Sequence, residues 1–447
     1  MKTLLNHQIE DAQFLASKRF AGNFSGMGSG KTLTALEAFR LARKLVTDQV
    51  IIVGPPISLR MWASEFEAFF PGDKAQLVKT GKTKLDGSAS ALVMSYEIAT
   101  KRAAELSQLK ARALICDESH ALKSTGSKRT KAILGNGGLS QSVDHAWMLT
   151  GTPATRYSDD LYPFLINADM QGLKRRCGGV DKKRFEQVFC VTQMKRLPHI
   201  RFPIRQVVGS RNTDQLNSWI YADGLAIRRE LKDVWDAMPA ITRQAYAITP
   251  KMSADVRALM KAVEEKSPEE ISLMEKSSDP ALATIMREIG MSKVDAAVDY
   301  IVSLVEDRAI EGGVLVGAWH TDVIDAIRGG LSAHNIAANV IDGRSSTSSR
   351  ADGQRCFNDR TVSVLIGQIA AMGVSLNLQE GGSTIVTVEE NWSPAVMDQF
   401  YARLHRMGQK DHVNVINLRT DLKIEKALVR IAARKTRDHN SINQQED

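Results

Sequence analysis

SGMGSGKT, Ser25 to Thr32, runs straight into LTALEAFRLARKL, Leu33 to Leu45, and this junction of a glycine-rich turn with a helical pattern sets the reading of the chain. Glycines at 26, 28 and 30 let the backbone turn tightly and aim its N–H groups at phosphate oxygens. The N-terminus of the following helix adds a favourable dipole. Ser25, Gly26, Met27, Gly28, Ser29, Gly30, Lys31 and Thr32 are therefore a candidate nucleotide cradle. Lys31 would reach the β- and γ-phosphates, and the Thr32 hydroxyl would ligate Mg²⁺. Ser25 stands where the strict pattern has glycine, and the three later glycines supply the flexibility.

A second element of the same chemistry follows an apolar run. ALIC, Ala113 to Cys116, reads as a buried parallel strand and ends in DESH, Asp117 to His120. Asp117 would hold the Mg²⁺ shell and Glu118 would polarise an attacking water. His120 follows the two acids, either as a transmitter of nucleotide state or as a helix cap. A third element, YARLHRMGQK (Tyr401 to Lys410), places Arg403 and Arg406 three residues apart, on one face of an expected helix. Alone the pair reads as a solvated basic face. Set beside the phosphate loop, two guanidinium groups can neutralise charge on a transferring phosphoryl group.

At 447 residues the chain is long enough for two ordinary α/β units and additional material. Its net charge of +8 favours an anionic partner. KRR (Lys174 to Arg176), KKR (Lys182 to Arg184) and RIAARKTR (Arg430 to Arg437) read equally well as phosphate contacts or as solvated faces. Cysteines 116, 177, 190 and 356 show no C-x-x-C spacing, so neither a disulfide framework nor a zinc site is expected. No apolar stretch approaches a membrane span, and Asn6, His7, Glu10 and Asp11 stand where a signal peptide needs an apolar core. A cytoplasmic protein without membrane association is expected, in the host cytoplasm if the source is viral.

Short Val- and Ile-rich runs alternate with helical patterns in two series. The first holds residues 50–56, 91–97, 113–116 and 146–153; the second holds 313–319, 338–343, 363–368, 384–391 and 413–418. Such alternation means parallel sheets, and two series mean two lobes. The expected fold class is α/β, with two parallel sheets flanked by helices. The expected division is an ATP-binding lobe at 1–165, a helical insertion and connector at 166–290, a second lobe at 291–430 and a basic, polar tail at 431–447. No repeat of solenoid length is present.

These blocks carry a resemblance that covers nearly the whole chain. The sequence resembles the Swi/Snf-type ATPases of helicase superfamily two. The resemblance rests on VGPPISLRMWASEF (Val53 to Phe66), SYE (Ser95 to Glu97), LTGTP (Leu149 to Pro153) and IRRELKDVWDAMPAITRQ (Ile227 to Gln244) in the first part. In the second part it rests on SKVDAAVDYIVSL (Ser292 to Leu304), WHTDVIDAI (Trp319 to Ile327), DGRSSTSSRADGQRCFND (Asp342 to Asp359) and NWSPAVMDQFYARLHRMGQ (Asn391 to Gln409). AAMGVSLNL (Ala370 to Leu378) has one glycine where the family is glycine-rich, and with FEQVFC (Phe185 to Cys190) it resembles the annealing-helicase branch.

The resemblance implies two RecA-like lobes, ATP and Mg²⁺ as cofactors, and movement on double-stranded DNA without sequence preference. It implies an adenine contact from Gln8 and coupling roles for His120, Thr150, Gly151, Thr152 and Gln399. It further implies DNA contacts drawn from Ser58, Arg60, Trp62, Arg344, Ser345, Ser375 and Trp392, although Trp62 and Trp392 read equally well as packing residues. A minimal motor of bacterial or viral type is expected, targeted by a protein partner or by DNA shape. A strand-separating DNA or RNA helicase and a nucleotide-switched DNA-binding protein stay open as alternatives.

Overall fold

A computed structural model describes residues 4–196, 203–235, 238–252, 257, 261, 280–306, 312–372, 376–391 and 393–443. The chain forms two compact units, residues 1–234 with 437–447 and residues 235–436. The first unit holds strands β1 (Phe20–Asn23), β2 (Val50–Gly54), β3 (Ala75–Val78), β4 (Ala91–Ser95), β5 (Ala113–Asp117) and β6 (His145–Leu149). It also holds β7 (Cys190–Lys195), β8 (Ile204–Ser210) and β9 (Ala226–Ile227). The second unit holds β10 (Ile241–Ala247), β11 (Val314–Ala318), β12 (Ala338–Ile341), β13 (Val364–Gln368), β14 (Thr384–Thr387) and β15 (Val413–Arg419).

The first unit is a seven-stranded sheet in the order β3-β4-β2-β5-β6-β1-β9, every neighbour parallel. Its central strands are buried on both faces, as VIIVG and ALIC require. Alternate residues feed two separate cores. Leu114, Cys116 and Met148 pack into one, Ala113, Ile115 and Trp147 into the other, so helices cover both faces. The second unit is a six-stranded parallel sheet in the order β10-β15-β14-β11-β13-β12, likewise with a core on each face. The α/β class predicted from the alternating pattern is therefore present in both units.

The segment 166–290, read as mainly helical, also carries strands among its described residues. Helices Met170–Cys177 and Lys182–Phe189 are there, but β7 and β8 form an antiparallel hairpin after them, and β10 joins the second sheet. The unit boundary at 234/235 falls inside this segment. ITRQAYA of β10 escapes a strand reading because it is an exposed edge with no apolar alternation to detect. FAGN of β1 escapes for the opposite reason: with one glycine and one asparagine it looks like a turn, yet it is buried between β6 and β9. The segment read as a tail from residue 431 is instead the continuation of a helix, Lys423–Asn443. Among the described residues, no helix is long and apolar enough to cross a membrane.

Candidate functional site

In the first unit the phosphate loop leaves the C-terminal end of β1 and feeds the helix Lys31–Ala42. Gly28 and Gly30 take φ of 82° and 84°, in the left-handed region, where a side chain costs about 1 kcal/mol or more per residue. Gly30 caps the helix without a side-chain acceptor, so the first-turn N–H groups are left to the loop and whatever it holds. Lys31 Nζ donates to the carbonyls of Ser25 at 2.7 Å and Gly26 at 2.8 Å, which places the ammonium inside the curve of the loop. Gln8 lies beside it: its Nε2 donates to Gly30 O at 3.5 Å and its Oε1 accepts the Leu5 N–H at 2.9 Å.

The brace behind this loop is not legible from motif spacing. The amides of Phe24 and Gly26 donate to the carbonyls of Ile227 and Arg229, both at 2.8 Å. Arg228 Nη1 donates to Phe24 O at 3.1 Å, and the Arg229 guanidinium is held by Asp11 at 3.0 Å and Glu10 at 2.9 Å. Ser25, the residue that departs from the glycine pattern, accepts the Arg229 N–H through its buried Oγ at 3.1 Å. Ser25→Gly should therefore leave a partly buried amide without that acceptor, costing about 1 kcal/mol. In a thermal melt the first unit should lose roughly 2–4 °C. An unchanged melting temperature would refute the bracing role of this hydroxyl.

The acidic pair sits where β5 ends. Burial pushes the Asp117 carboxyl up to about 6, and the charge of Glu118 adds to the rise; the Trp62 N–H and the Lys31 charge oppose it. Glu118 adopts φ 49° and ψ 50°, a left-handed conformation strained by about 1 kcal/mol for a residue with a Cβ. His120 Nδ1 lies 3.2 Å from Thr150 Oγ1 and 3.2 Å from Glu118 Oε2. Thr150 N–H donates to Asn23 O at 3.1 Å, and Thr152 N–H donates to Thr150 Oγ1 at 3.1 Å. A Cβ at Gly151 would come within 3.0 Å of Met27 Cγ, so this turn lies directly on the phosphate loop. DESH, TGTP and the loop-bearing strand thus form one hydrogen-bonded assembly in a single unit.

Two residues proposed from sequence as DNA contacts are corrected here. Trp62 is fully buried, on the helix Leu59–Phe69, and its Nε1 donates to Asp117 Oδ2 at 2.8 Å. Ser58 is also buried, with its hydroxyl on Pro55 O at 3.0 Å. Arg60 is exposed. In the second unit Arg344 is exposed but paired with Asp325 at 2.8 Å and Asp342 at 2.6 Å, and Ser345 Oγ accepts the Asp342 N–H at 3.0 Å. Ser375 and Trp392 lie outside the described residues. The basic clusters of the first unit are largely neutralised from within: Arg176 pairs with Asp223, Lys182 with Asp159 and Glu186, and Arg184 with Asp181.

The helix expected to carry both arginines also needs correction. It spans Pro394–Tyr401, so it carries Gln399 but ends before Arg403. Leu404 N–H bonds back three residues to Tyr401 O, and Gly408 has φ 95°, closing a run of turns. Leu404 is buried in the same core as Phe400 and Tyr401. The two guanidiniums nevertheless converge. Arg403 Nη1 and Arg406 Nη1 donate to the same carbonyl, Leu376 O, at 3.3 and 3.1 Å, and Arg403 Nε donates to Gln399 O at 2.9 Å. Arg403 is 7% exposed, and burial lowers the Arg406 pKa.

A glycine-rich loop between strand and helix, a lysine within it and an acidic strand end define a phosphate-loop α/β protein. Residues 7–278 match the SNF2-related domain, and the chain belongs to that family. It is 26% identical over 396 residues to the SWI/SNF-related matrix-associated actin-dependent regulator of chromatin subfamily A-like protein 1 of Xenopus tropicalis, covering 87% of this chain and 39% of that protein. The homolog from Caenorhabditis elegans is 27% identical over 397 residues, covering 87% and 54%. The human DNA annealing helicase and endonuclease ZRANB3 is 24% identical over 412 residues, covering 87% and 35%. The chain thus spans between 35% and 54% of the length of these relatives. Among solved structures, the Sulfolobus solfataricus SWI2/SNF2 ATPase core in complex with dsDNA covers 99% of this chain and 93% of its own, with 16% identity and a TM-score of 0.44.

Proposed function

We propose that this chain hydrolyses ATP with Mg²⁺ and couples the reaction to movement along double-stranded DNA. The observation that carries the proposal is the assembly of the first unit, in which the lysine-bearing phosphate loop and the Asp117–Glu118 corner share one network with His120 and Thr150. Mg²⁺ fits the available donors. It binds through one or two protein oxygens and keeps waters and phosphate oxygens for the rest. Thr32 and Asp117 offer such a set, and among the described residues no cluster of three or more His, Cys, Asp or Glu side chains forms an all-protein cage. A metal held there by Thr32 and Asp117 would offset the negative charge of the phosphates.

The protein groups then divide the work. The loop amides and Lys31 orient the phosphates, Glu118 orients the attacking water, and Arg403 and Arg406 supply positive charge to the γ-phosphate. His120 and Thr150 link the acidic corner to the strand that carries the loop, a path by which nucleotide state can reach the remainder of the unit. A net charge of +8 and a relative named as a DNA annealing helicase support duplex DNA as the track. Contacts to the phosphodiester backbone make movement independent of base sequence. A protein partner or DNA shape would supply targeting.

The test is ATP turnover measured in parallel with duplex DNA, single-stranded DNA, forked DNA and RNA. Duplex or forked DNA should give the largest stimulation, and the stimulation should weaken steeply with salt. Stimulation by RNA alone would sink the duplex reading, and absence of turnover under every condition would favour a nucleotide-switched binder.

A further inference from the structure

We infer that Trp62 and Tyr96 are positioning residues that fix the Asp117–Glu118 corner for metal-dependent hydrolysis, a role that rests on the function proposed above. The corner is held from both sides of the sheet. Trp62 belongs to one hydrophobic core, with Phe66, Ile115 and Trp147, and sends its indole N–H to Asp117 Oδ2 at 2.8 Å. Tyr96 belongs to the other core, with Leu114, Cys116 and Met148, and its hydroxyl donates to the Asp117 backbone carbonyl at 2.7 Å. The two residues begin from separate helices, Leu59–Phe69 and Tyr96–Gln108. Both reach Asp117.

What they hold explains why two anchors are needed. Asp117 Oδ1 accepts the amide of Glu118 at 3.1 Å, so the side chain and the peptide that follows it are fixed together. That peptide leads into Glu118 in its left-handed conformation, after which Ala121 N–H closes a turn on Glu118 O at 3.0 Å. A strained residue persists only where its surroundings over-determine it. The Tyr96 hydroxyl sets the carbonyl on one side of the strained residue, and the Trp62 N–H sets the carboxylate rotamer. Loss of the Trp62 bond would free the carboxylate, and loss of the Tyr96 bond would free the peptide that leads into Glu118.

Both residues are buried, so a packing role alone must be distinguished from a positioning role. Tyr96→Phe removes one oxygen and leaves the ring; Trp62→Phe keeps an aromatic and removes the N–H. The first readout is binding of a fluorescent ADP analogue titrated with Mg²⁺, which needs no turnover. Partners of this kind typically contribute 10- to 100-fold in metal affinity or activity. Trp62→Phe should therefore raise the Mg²⁺ concentration for half-maximal binding by about 10-fold. Tyr96→Phe should lower kcat by about 10-fold with KM for ATP little changed. Should Trp62→Phe fail to fold, Tyr96→Phe alone decides. Wild-type Mg²⁺ dependence and wild-type kcat in folded variants would overturn the positioning role while leaving the ATPase reading intact. A wild-type protein that binds the analogue without any Mg²⁺ dependence would overturn both.

Discussion

Arg403→Ala is expected to lower ATP turnover by about three orders of magnitude while ATP binding survives. An arginine that stabilises charge on a transferring phosphoryl group contributes about 10³- to 10⁵-fold to kcat, and contributes little to ground-state affinity. The side chain is buried and its guanidinium also holds Gln399 O and Leu376 O, so truncation has a structural cost as well. Arg403→Lys separates the two effects, because an ammonium keeps the charge but cannot reproduce the planar fork that reaches two carbonyls. Turnover should stay strongly reduced in both variants, with the dissociation constant for ATP within a few-fold of wild type. A folded Arg403→Ala protein that retained near wild-type turnover would refute the assignment. A folded variant that lost ATP binding outright would assign Arg403 to ground-state recognition instead.

Asp117→Asn is expected to abolish turnover and, without nucleotide, to make the protein more stable at neutral pH. Burial and the Glu118 charge raise the Asp117 carboxyl from 3.8 to about 6. A carboxyl whose folded pKa lies above its unfolded value favours folding below the unfolded pKa, and that contribution is lost as pH rises through the folded pKa. The wild type should therefore lose stability between about pH 4 and 6, by roughly 1 to 3 kcal/mol. The amide variant does not titrate, and its single carbonyl oxygen can still accept one of the two N–H groups, from Trp62 and Glu118, that the carboxylate holds. At pH 7.5 it should melt several degrees higher. A lower melting temperature for Asp117→Asn at pH 7.5 would refute the stored electrostatic cost. The same cost is a reason for the site to welcome a cation.

The parts of this site that share a stretch of chain were legible in advance. SGMGSGKT announces its own turn, because glycine is the residue that takes φ near 80° without strain, and the helix that follows has a continuous apolar pattern. DESH was readable because ALIC can only be a buried strand, which puts the acids at its end. What could not be read were contacts between distant segments. Nothing in IRREL says that its backbone braces Phe24 and Gly26. Nothing in the LRMW run says that its tryptophan turns inward to a carboxylate 55 positions away. The hydrophobicity of Trp62 fits a surface stacking role and a core role equally, and only burial separates them.

The amino-acid sequence by itself determined the two-sheet α/β architecture, the phosphate loop and the acidic strand end, because each is specified by a local pattern of hydrophobic period and backbone freedom. Tertiary structure decided the rest. It ended the helix before Arg403 yet brought both arginines to one carbonyl, Leu376 O, which comes from a distant segment. It turned Ser25 from a departure into a hydrogen-bond acceptor for Arg229. It set the left-handed corner at Glu118, because two cores on opposite faces of one sheet each reach Asp117 with a single polar atom.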